Sequence, residues 1–205
     1  MDSFLEEKIS ELESSIKNLG AERTAAFIAE PVLASGGVII PPKGYHQRCL
    51  EICHKYDVLY ISDEVVTAFG RLGYWFASKE VFGIQPDIIT CAKGLTSGYV
   101  PMGAFIVSEK IFGSISGVRS KDAMFSNGFT YSGHPVSSAA AIKNIEIIEK
   151  ENLLAHVRIV SPHFQKRLHQ LRKLTIIGET RGIGLIECVE GRIMDSSRPE
   201  ALAKD

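Results

Sequence analysis

Val58-Leu59-Tyr60-Ile61-Ser62-Asp63-Glu64-Val65 decides how the rest of the chain is read. An apolar run ends there in a carboxylate. Further on, Ile88-Ile89-Thr90-Cys91-Ala92 repeats the pattern and ends in Lys93. Each run is short, rich in β-branched residues and bounded by polar ones, the pattern of a buried strand. The segment between them is long enough for a crossover, so the two strands can lie parallel in one sheet. Parallel strands point their carboxyl ends the same way, and open α/β sheets bind ligands at that edge. Asp63 and Lys93 are therefore expected to face one crevice from neighbouring strand ends.

Such a pair suits one chemistry well. A lysine amine can form a Schiff base with the aldehyde of pyridoxal phosphate, and an aspartate can keep the ring nitrogen of that cofactor protonated. Spacing alone leaves the plainer alternative open, because charged residues often end buried strands and pair with other charges.

Composition narrows the field. The chain has 205 residues and a net charge of −1, and is 45% hydrophobic and 23% charged, which suits one large domain or two small ones. The near-neutral balance argues against nucleic-acid and membrane-surface partners, and no apolar run has the length of a membrane span. The acidic start Met1-Asp2-Ser3-Phe4-Leu5-Glu6-Glu7 is unlike a signal peptide, so a cytoplasmic location is expected. Cys49 and Cys53 fall one turn apart on an expected helix beside His54, but no second ligand pair matches them. Reduced core thiols are the expectation, with no metal.

In chain order, Phe4, Leu5, Ile9, Leu12, Ile16 and Leu19 form a helical stripe that Gly20 stops. Residues 25–29 read as a strand running into Glu30-Pro31. Glu30 is either a third group at the sheet edge or a surface acid beside a turn. Ala34-Ser35-Gly36-Gly37 and Pro41-Pro42-Lys43-Gly44 are loop signals. A helix is expected from Tyr45 to Tyr56. The stretch Phe69-Gly70-Arg71-Leu72-Gly73 with Tyr74-Trp75-Phe76 either covers a site or packs over the sheet. Met102 to Val107 read as a further strand, with Ser108 as a helix cap. Residues 113–128, rich in Gly and Ser, are expected to form a mobile surface loop. Phe129-Thr130-Tyr131-Ser132-Gly133-His134-Pro135 leads into a helix from about 135 to 150. Its hydroxyls suit either a phosphate or a helix cap, and His134 is either a base or structural. A second helix is expected over 153–173. Two strands follow, at Thr175-Ile176-Ile177-Gly178 and Gly184 to Val189. The alternation up to about 110 argues for a mostly parallel sheet.

Taken in order, Ala29-Glu30-Pro31-Val32, Gly36-Gly37-Val38-Ile39-Ile40-Pro41-Pro42, Ile61-Ser62-Asp63-Glu64-Val65, Phe69-Gly70-Arg71-Leu72-Gly73, Ala92-Lys93-Gly94-Leu95 and the Phe129 to Pro135 run closely resemble the class III aminotransferases. These are pyridoxal-phosphate enzymes of the aspartate aminotransferase fold, fold type I. The resemblance spans residues 1 to about 190. Each motif is weak alone; six in order are not. The Tyr131 to Pro135 run looks most like the omega-amino acid or amine:pyruvate branch.

The resemblance implies an α/β fold with an incomplete large-domain sheet in residues 1–150 and the start of a small C-terminal domain in 151–205. It implies pyridoxal 5′-phosphate as cofactor and transamination between an amine or omega-amino acid and a keto acid, in a homodimer. Lys93 would hold the cofactor as a Schiff base and then shuttle the proton between the substrate Cα and the cofactor C4′. Asp63 would pair with the ring nitrogen, and Val65 would pack on one ring face. Thr130 would bind the phosphate, in this family usually across the dimer interface. Glu30 would lie on the substrate side, where relatives use it to manage a nearby arginine. Four family features have no counterpart here: the first large-domain strands, the Gly-Ser-type phosphate turn, the aromatic residue over the other ring face, and the arginine that clamps the substrate carboxylate. Alternatives within the resemblance are a non-catalytic fragment of such an enzyme, or an aminomutase or decarboxylase with the same cofactor. A nucleotide-binding reading fails, because Thr90-Cys91-Ala92 precede Lys93 where a P-loop needs glycines.

Overall fold

A four-stranded sheet, its strands side by side in chain order, organises the α/β fold. The structure, a computed structural model, describes residues 2–116 and 125–192. The strands are β1 (Ala26–Ala29), β2 (Leu59–Asp63), β3 (Ile88–Cys91) and β4 (Ala104–Val107). The first three are parallel, with Ala29 opposite Ser62 and Asp63 opposite Thr90. Each of their connections holds a helix, α2 (Tyr45–Lys55) and then the short α3 (Ala77–Glu80). The link from β3 to β4 holds only a 3-10 turn and a loop. Without a crossover element the chain reverses, and β4 runs antiparallel to β3.

One face of the sheet is covered by α1 (Asp2–Leu19) and α2. The stripe of α1 supplies Ile9 and Ile16, and α2 supplies Cys49 and Cys53. With Val58, Tyr60 and Ile84 they form a buried cluster, edged by Leu5, Leu12 and Phe27. Gly20 ends α1 at φ 89, a backbone state that favours glycine. At the rim, Arg48 donates to both oxygens of Glu6 at 2.7 and 3.1 Å, and Lys55 Nζ and Tyr56 O–H donate to Glu13 at 2.7 and 2.6 Å. These pairs are exposed or only part-buried, so apolar burial carries the stability and the pairs fix the register of the two helices.

The second half begins with α4 (Glu109–Ile115), capped by Ser108, whose Oγ accepts the Ile111 N–H at 3.4 Å. The loop expected from 113 therefore starts later. Gly113 is buried inside α4, because the capped helix runs on through Gly113, Ser114 and Ile115. Residues 117–124 of that loop lie outside the described residues. Then follow α5 (Pro135–Lys150), α6 (Leu153–His169) and a hairpin of β5 (Ile177–Ile183) and β6 (Ile186–Gly191). Residues 179–183, between the two expected strands, are thus strand. Only Thr180 of β5 is buried, and Arg172 Nε donates to its hydroxyl at 2.8 Å. A polar residue holds the inward position, so hydrophobic alternation gives no sign of the strand.

The hairpin does not stand apart from the rest. Ile186 joins Val32, Val38, Leu72 and Ala77 in a second buried cluster. Gly184, at φ 61, lies so close to the loop after β2 that a Cβ would sit 2.7 Å from Leu72 Cα. Arg158 of α6 donates to the Gly73 carbonyl, and Arg181 Nε donates to the Gly37 carbonyl at 2.7 Å. The glycine-punctuated stretch 69–76 therefore packs between the sheet unit and α6.

Candidate active site

Asp63 is the last residue of β2. Its Oδ1 accepts the Val65 N–H at 3.1 Å, which turns the chain sharply out of the strand. The half-buried carboxylate borders an apolar cavity of about 560 Å³, shared with Phe27, Ala29, Glu30, Leu33 and Tyr45. Glu64, its neighbour, has the opposite fate. Its side chain is fully buried and accepts from Thr67 Oγ1 at 3.0 Å, Ala77 N–H at 2.5 Å and Ser78 N–H at 2.8 Å. The last two are free donors at the start of α3, so Glu64 caps that helix from a distance. Its role is structural.

Glu30 follows β1 and lines the same cavity as Asp63. Its Oε2 accepts the Ala34 N–H at 3.1 Å, which ties it to the turn before Gly36-Gly37. Behind it lies a residue that sequence reading passed over as one more helical position. His46 is buried, with Nε2 3.0 Å from the Pro31 carbonyl and Nδ1 2.7 Å from the Tyr60 hydroxyl. A carbonyl can only accept, so Nε2 carries the proton and Nδ1 accepts from Tyr60. Burial lowers the imidazole pKa, and the bond to Pro31 opposes that shift. A neutral histidine thus pins the Glu30-Pro31 turn to β2.

Lys93 is the first residue of a 3-10 turn, Lys93–Thr96, directly after β3. Its backbone has φ 42, the left-handed region that a lysine rarely adopts. Such a conformation costs about 1–3 kcal/mol and persists only where surroundings enforce it, which is a mark of functional sites. The next residue, Gly94, allows the close approach: a Cβ there would lie 3.0 Å from Phe69 Cβ. The lysine side is exposed and opens on a hollow of about 370 Å³ lined with Thr96, Tyr99, Val100 and Met102.

The sheet thus brings Asp63 and Lys93 to the ends of adjacent parallel strands, with Glu30 after the next strand over. It does not place all three in one hollow. Asp63 and Glu30 share the larger cavity, and Lys93 borders a separate one. Val65 is half-buried in the turn after Asp63. Thr130 is exposed in the segment leading to α5, whose neighbours Phe129 and Tyr131 line a third hollow of about 610 Å³ with Pro101, Met102 and His134. His134 is the N-cap position of α5 and is exposed, with its ring 6.0 Å from that of Tyr131. Among the described residues no cluster of His, Cys, Asp and Glu is suited to a metal ion. The cysteines are free thiols, three of them buried. No described helix is long and apolar enough to cross a membrane.

A strand-end lysine beside a strand-end aspartate agrees with the family comparison. The aminotransferase class-III model matches residues 2–203. The chain belongs to the class III aminotransferase family. It is 46% identical over 189 residues to the probable gamma-aminobutyrate transaminase 2, mitochondrial, of Oryza sativa subsp. indica, covering 92% of this chain and 38% of that protein. It is 45% identical over 181 residues to the putrescine–pyruvate aminotransferase of Pseudomonas aeruginosa, covering 88% and 39%. Among solved structures, the (S)-enantioselective omega-transaminase of Thermomicrobium roseum superposes with a TM-score of 0.85 at 42% identity, covering 96% of this chain and 43% of that one. The chain thus spans about two-fifths of the length of these relatives. The fold is that of fold type I. Class III aminotransferases are pyridoxal-phosphate enzymes, and two features of this structure suit that group. Asp63 keeps its Oδ2 free of protein donors among the described residues, and an exposed lysine stands at the neighbouring strand end.

Proposed function

We propose that this chain is the lysine-bearing part of a pyridoxal-phosphate aminotransferase that moves an amino group between an amine or omega-amino acid and a keto acid. The observation that carries this reading is the delivery of Asp63 and Lys93 to one sheet edge by adjacent parallel strands. The cofactor, once bound, supplies an aldehyde that condenses with amines and a ring that accepts the electron pair left at the substrate Cα. Lys93 Nζ would hold it covalently and, when freed by substrate, would take the proton from Cα. Asp63 Oδ2 would keep the ring nitrogen protonated, and Val65 would pack against a ring face. Glu30, fixed by the Ala34 N–H, would stand on the substrate side. Thr130 would reach the phosphate of a second copy in a homodimer, and the exposed aromatic residues on either side of it suit such an interface. The division into a large-domain part, 1–150, and the start of a small domain, 151–205, belongs to the same reading. So does a cytoplasmic location, whose reducing conditions suit four free thiols.

The deciding experiment treats the chain with pyridoxal phosphate and borohydride and maps the reduced adduct. Attachment at Lys93, abolished by Lys93→Ala, is the expected result. Attachment elsewhere, or persisting in Lys93→Ala, overturns the assignment. Asp63→Asn should keep the attachment and lose exchange of the substrate's Cα proton. Unchanged proton exchange would remove Asp63 from its ring-nitrogen role.

A further inference from the structure

Asn144 lies in the middle of α5, far in sequence from the catalytic pair, yet all its polar atoms point at the Lys93 turn. Its Nδ2 donates to the Gly94 carbonyl at 2.8 Å and to the Leu95 carbonyl at 3.1 Å. Its Oδ1 accepts from Ser97 Oγ at 2.6 Å. Two carbonyls can only accept, so the orientation of the amide is set by its partners. The three bonds grip the turn from one side while Phe69 closes on Gly94 from the other.

The turn needs such a grip. Lys93 at φ 42 and Ser97 at φ 50 both occupy the left-handed region, so two non-glycine residues in one short turn are strained. Backbone bonds at the ends of the turn are Leu95 N–H to Ala92 O at 2.9 Å, Ser97 N–H to Gly94 O at 3.3 Å, Gly98 N–H to Lys93 O at 3.2 Å and Tyr99 N–H to Thr96 O at 3.1 Å. The carbonyl of Gly94 is therefore shared between the turn and Asn144. We propose that Asn144 is the positioning residue for Lys93, holding the strained turn from which the lysine departs at the carboxyl end of β3. The inference rests on the role of Lys93 proposed above. It also ties the lysine to α5, the helix that Thr130 leads into, so that the covalent anchor and the proposed phosphate contact are set by one rigid element.

Three variants separate the bonds. Asn144→Ala removes all of them, and alanine is the better helix former, so α5 itself is not weakened. Asn144→Asp keeps the acceptor for Ser97 but removes both donors and sets a carboxylate against two carbonyls. Ser97→Ala keeps both donors. Two readouts are needed. The first, without cofactor, is amide hydrogen exchange at Leu95, Ser97 and Gly98, compared with Ile88 to Cys91 of β3. Exchange in the turn should quicken about tenfold in Asn144→Ala and Asn144→Asp, the weight of one or two neutral hydrogen bonds, and less in Ser97→Ala. The β3 amides should not change. The second is the yield of borohydride-fixed adduct at Lys93 relative to Lys43, an exposed loop lysine. That ratio should fall about tenfold in the two Asn144 variants.

Unchanged exchange in both Asn144 variants overturns the proposal. So does faster exchange with an unchanged adduct ratio, which would leave Asn144 a merely structural residue. If the parent chain itself forms no adduct at Lys93, the cofactor reading fails for this chain. The exchange arm then decides by itself whether Asn144 holds the turn.

Discussion

The two faces of this chain are built to different standards. On one, α1, α2 and β2 close over Ile9, Cys49, Cys53, Val58 and Tyr60, each at most 3% exposed. On the other, the segment that carries Lys93 and Thr130 leaves Tyr99 87%, Phe129 82% and Tyr131 78% exposed. Aromatic residues occur on both. Among the described residues, side chains cover the first face and leave the second open. Stability should therefore reside in the closed face, and reactivity and association in the open one. Asp63 and Glu64 draw a like boundary within a single dipeptide, one carboxylate bordering a cavity and the other fully buried and bonded.

The largest expected effect tests that boundary. Glu64→Ala strands the Ala77 and Ser78 N–H groups and the Thr67 hydroxyl, and should cost about 3 kcal/mol of unfolding free energy in urea titration. Asp63→Asn should cost less than about 1 kcal/mol in the same assay. Equal losses would erase the distinction between the two carboxylates.

A smaller effect comes from pH. Burial pushes the Cys49 thiol up from its ordinary 9.0 to about 11, and burial followed by the nearby Cys49 pushes Cys53 to about 12. The folded state therefore holds protons that the unfolded chain releases. Stability from these thiols is full below pH 9.0 and falls as pH rises through the folded values. Urea midpoints measured from neutral to alkaline pH should show that decline, and Cys49→Ala combined with Cys53→Ala should flatten it. A decline of equal slope in the double variant would place the alkaline weakness outside these two thiols, since burial pushes up the Tyr45 and Tyr60 hydroxyls of the same face as well.

The smallest effect on stability belongs to the open face. Phe129→Ser with Tyr131→Ser should shift stability by about 0.5 kcal/mol or less. Sedimentation should nevertheless show weaker self-association. If the pair instead lowers stability as a core change does, the open face is closed in solution.

Much of this was legible in the sequence, and for local reasons. Val58 to Asp63 and Ile88 to Cys91 announce themselves by apolar runs ending in charge, and the α1 stripe by its helical spacing. Gly20 marks a helix end because its backbone state disfavours other residues. What stayed hidden depends on groups brought from afar. Glu64 reads as a surface acid until residues 67, 77 and 78 fold back on it. Asn144 reads as a surface position of α5 until the Gly94 and Leu95 carbonyls come within reach. His46 reads as an ordinary helix residue until Pro31 and Tyr60 flank it. Residues 179–183 of β5 escaped because the inward residue there is Thr180, partnered by Arg172, and polar packing leaves no periodic trace. The expectation of one shared crevice for Asp63 and Lys93 followed from strand order, but strand order fixes an edge and not the cavities along it.

The order of the sheet has a consequence for assembly. Among the described residues β1 and β4 each pair on one side only, and both carry exposed apolar residues, with Ile28 56%, Phe105 48% and Ile106 47% exposed. A molecule with an open seam at each end is divalent. Joining β1 of one copy to β4 of the next leaves a fresh seam at both ends, so such a contact never satisfies itself and propagates as a chain of copies. A two-fold pairing through the open aromatic face would close on itself. The two modes differ in stoichiometry: one saturates at two copies, and the other lengthens as concentration rises.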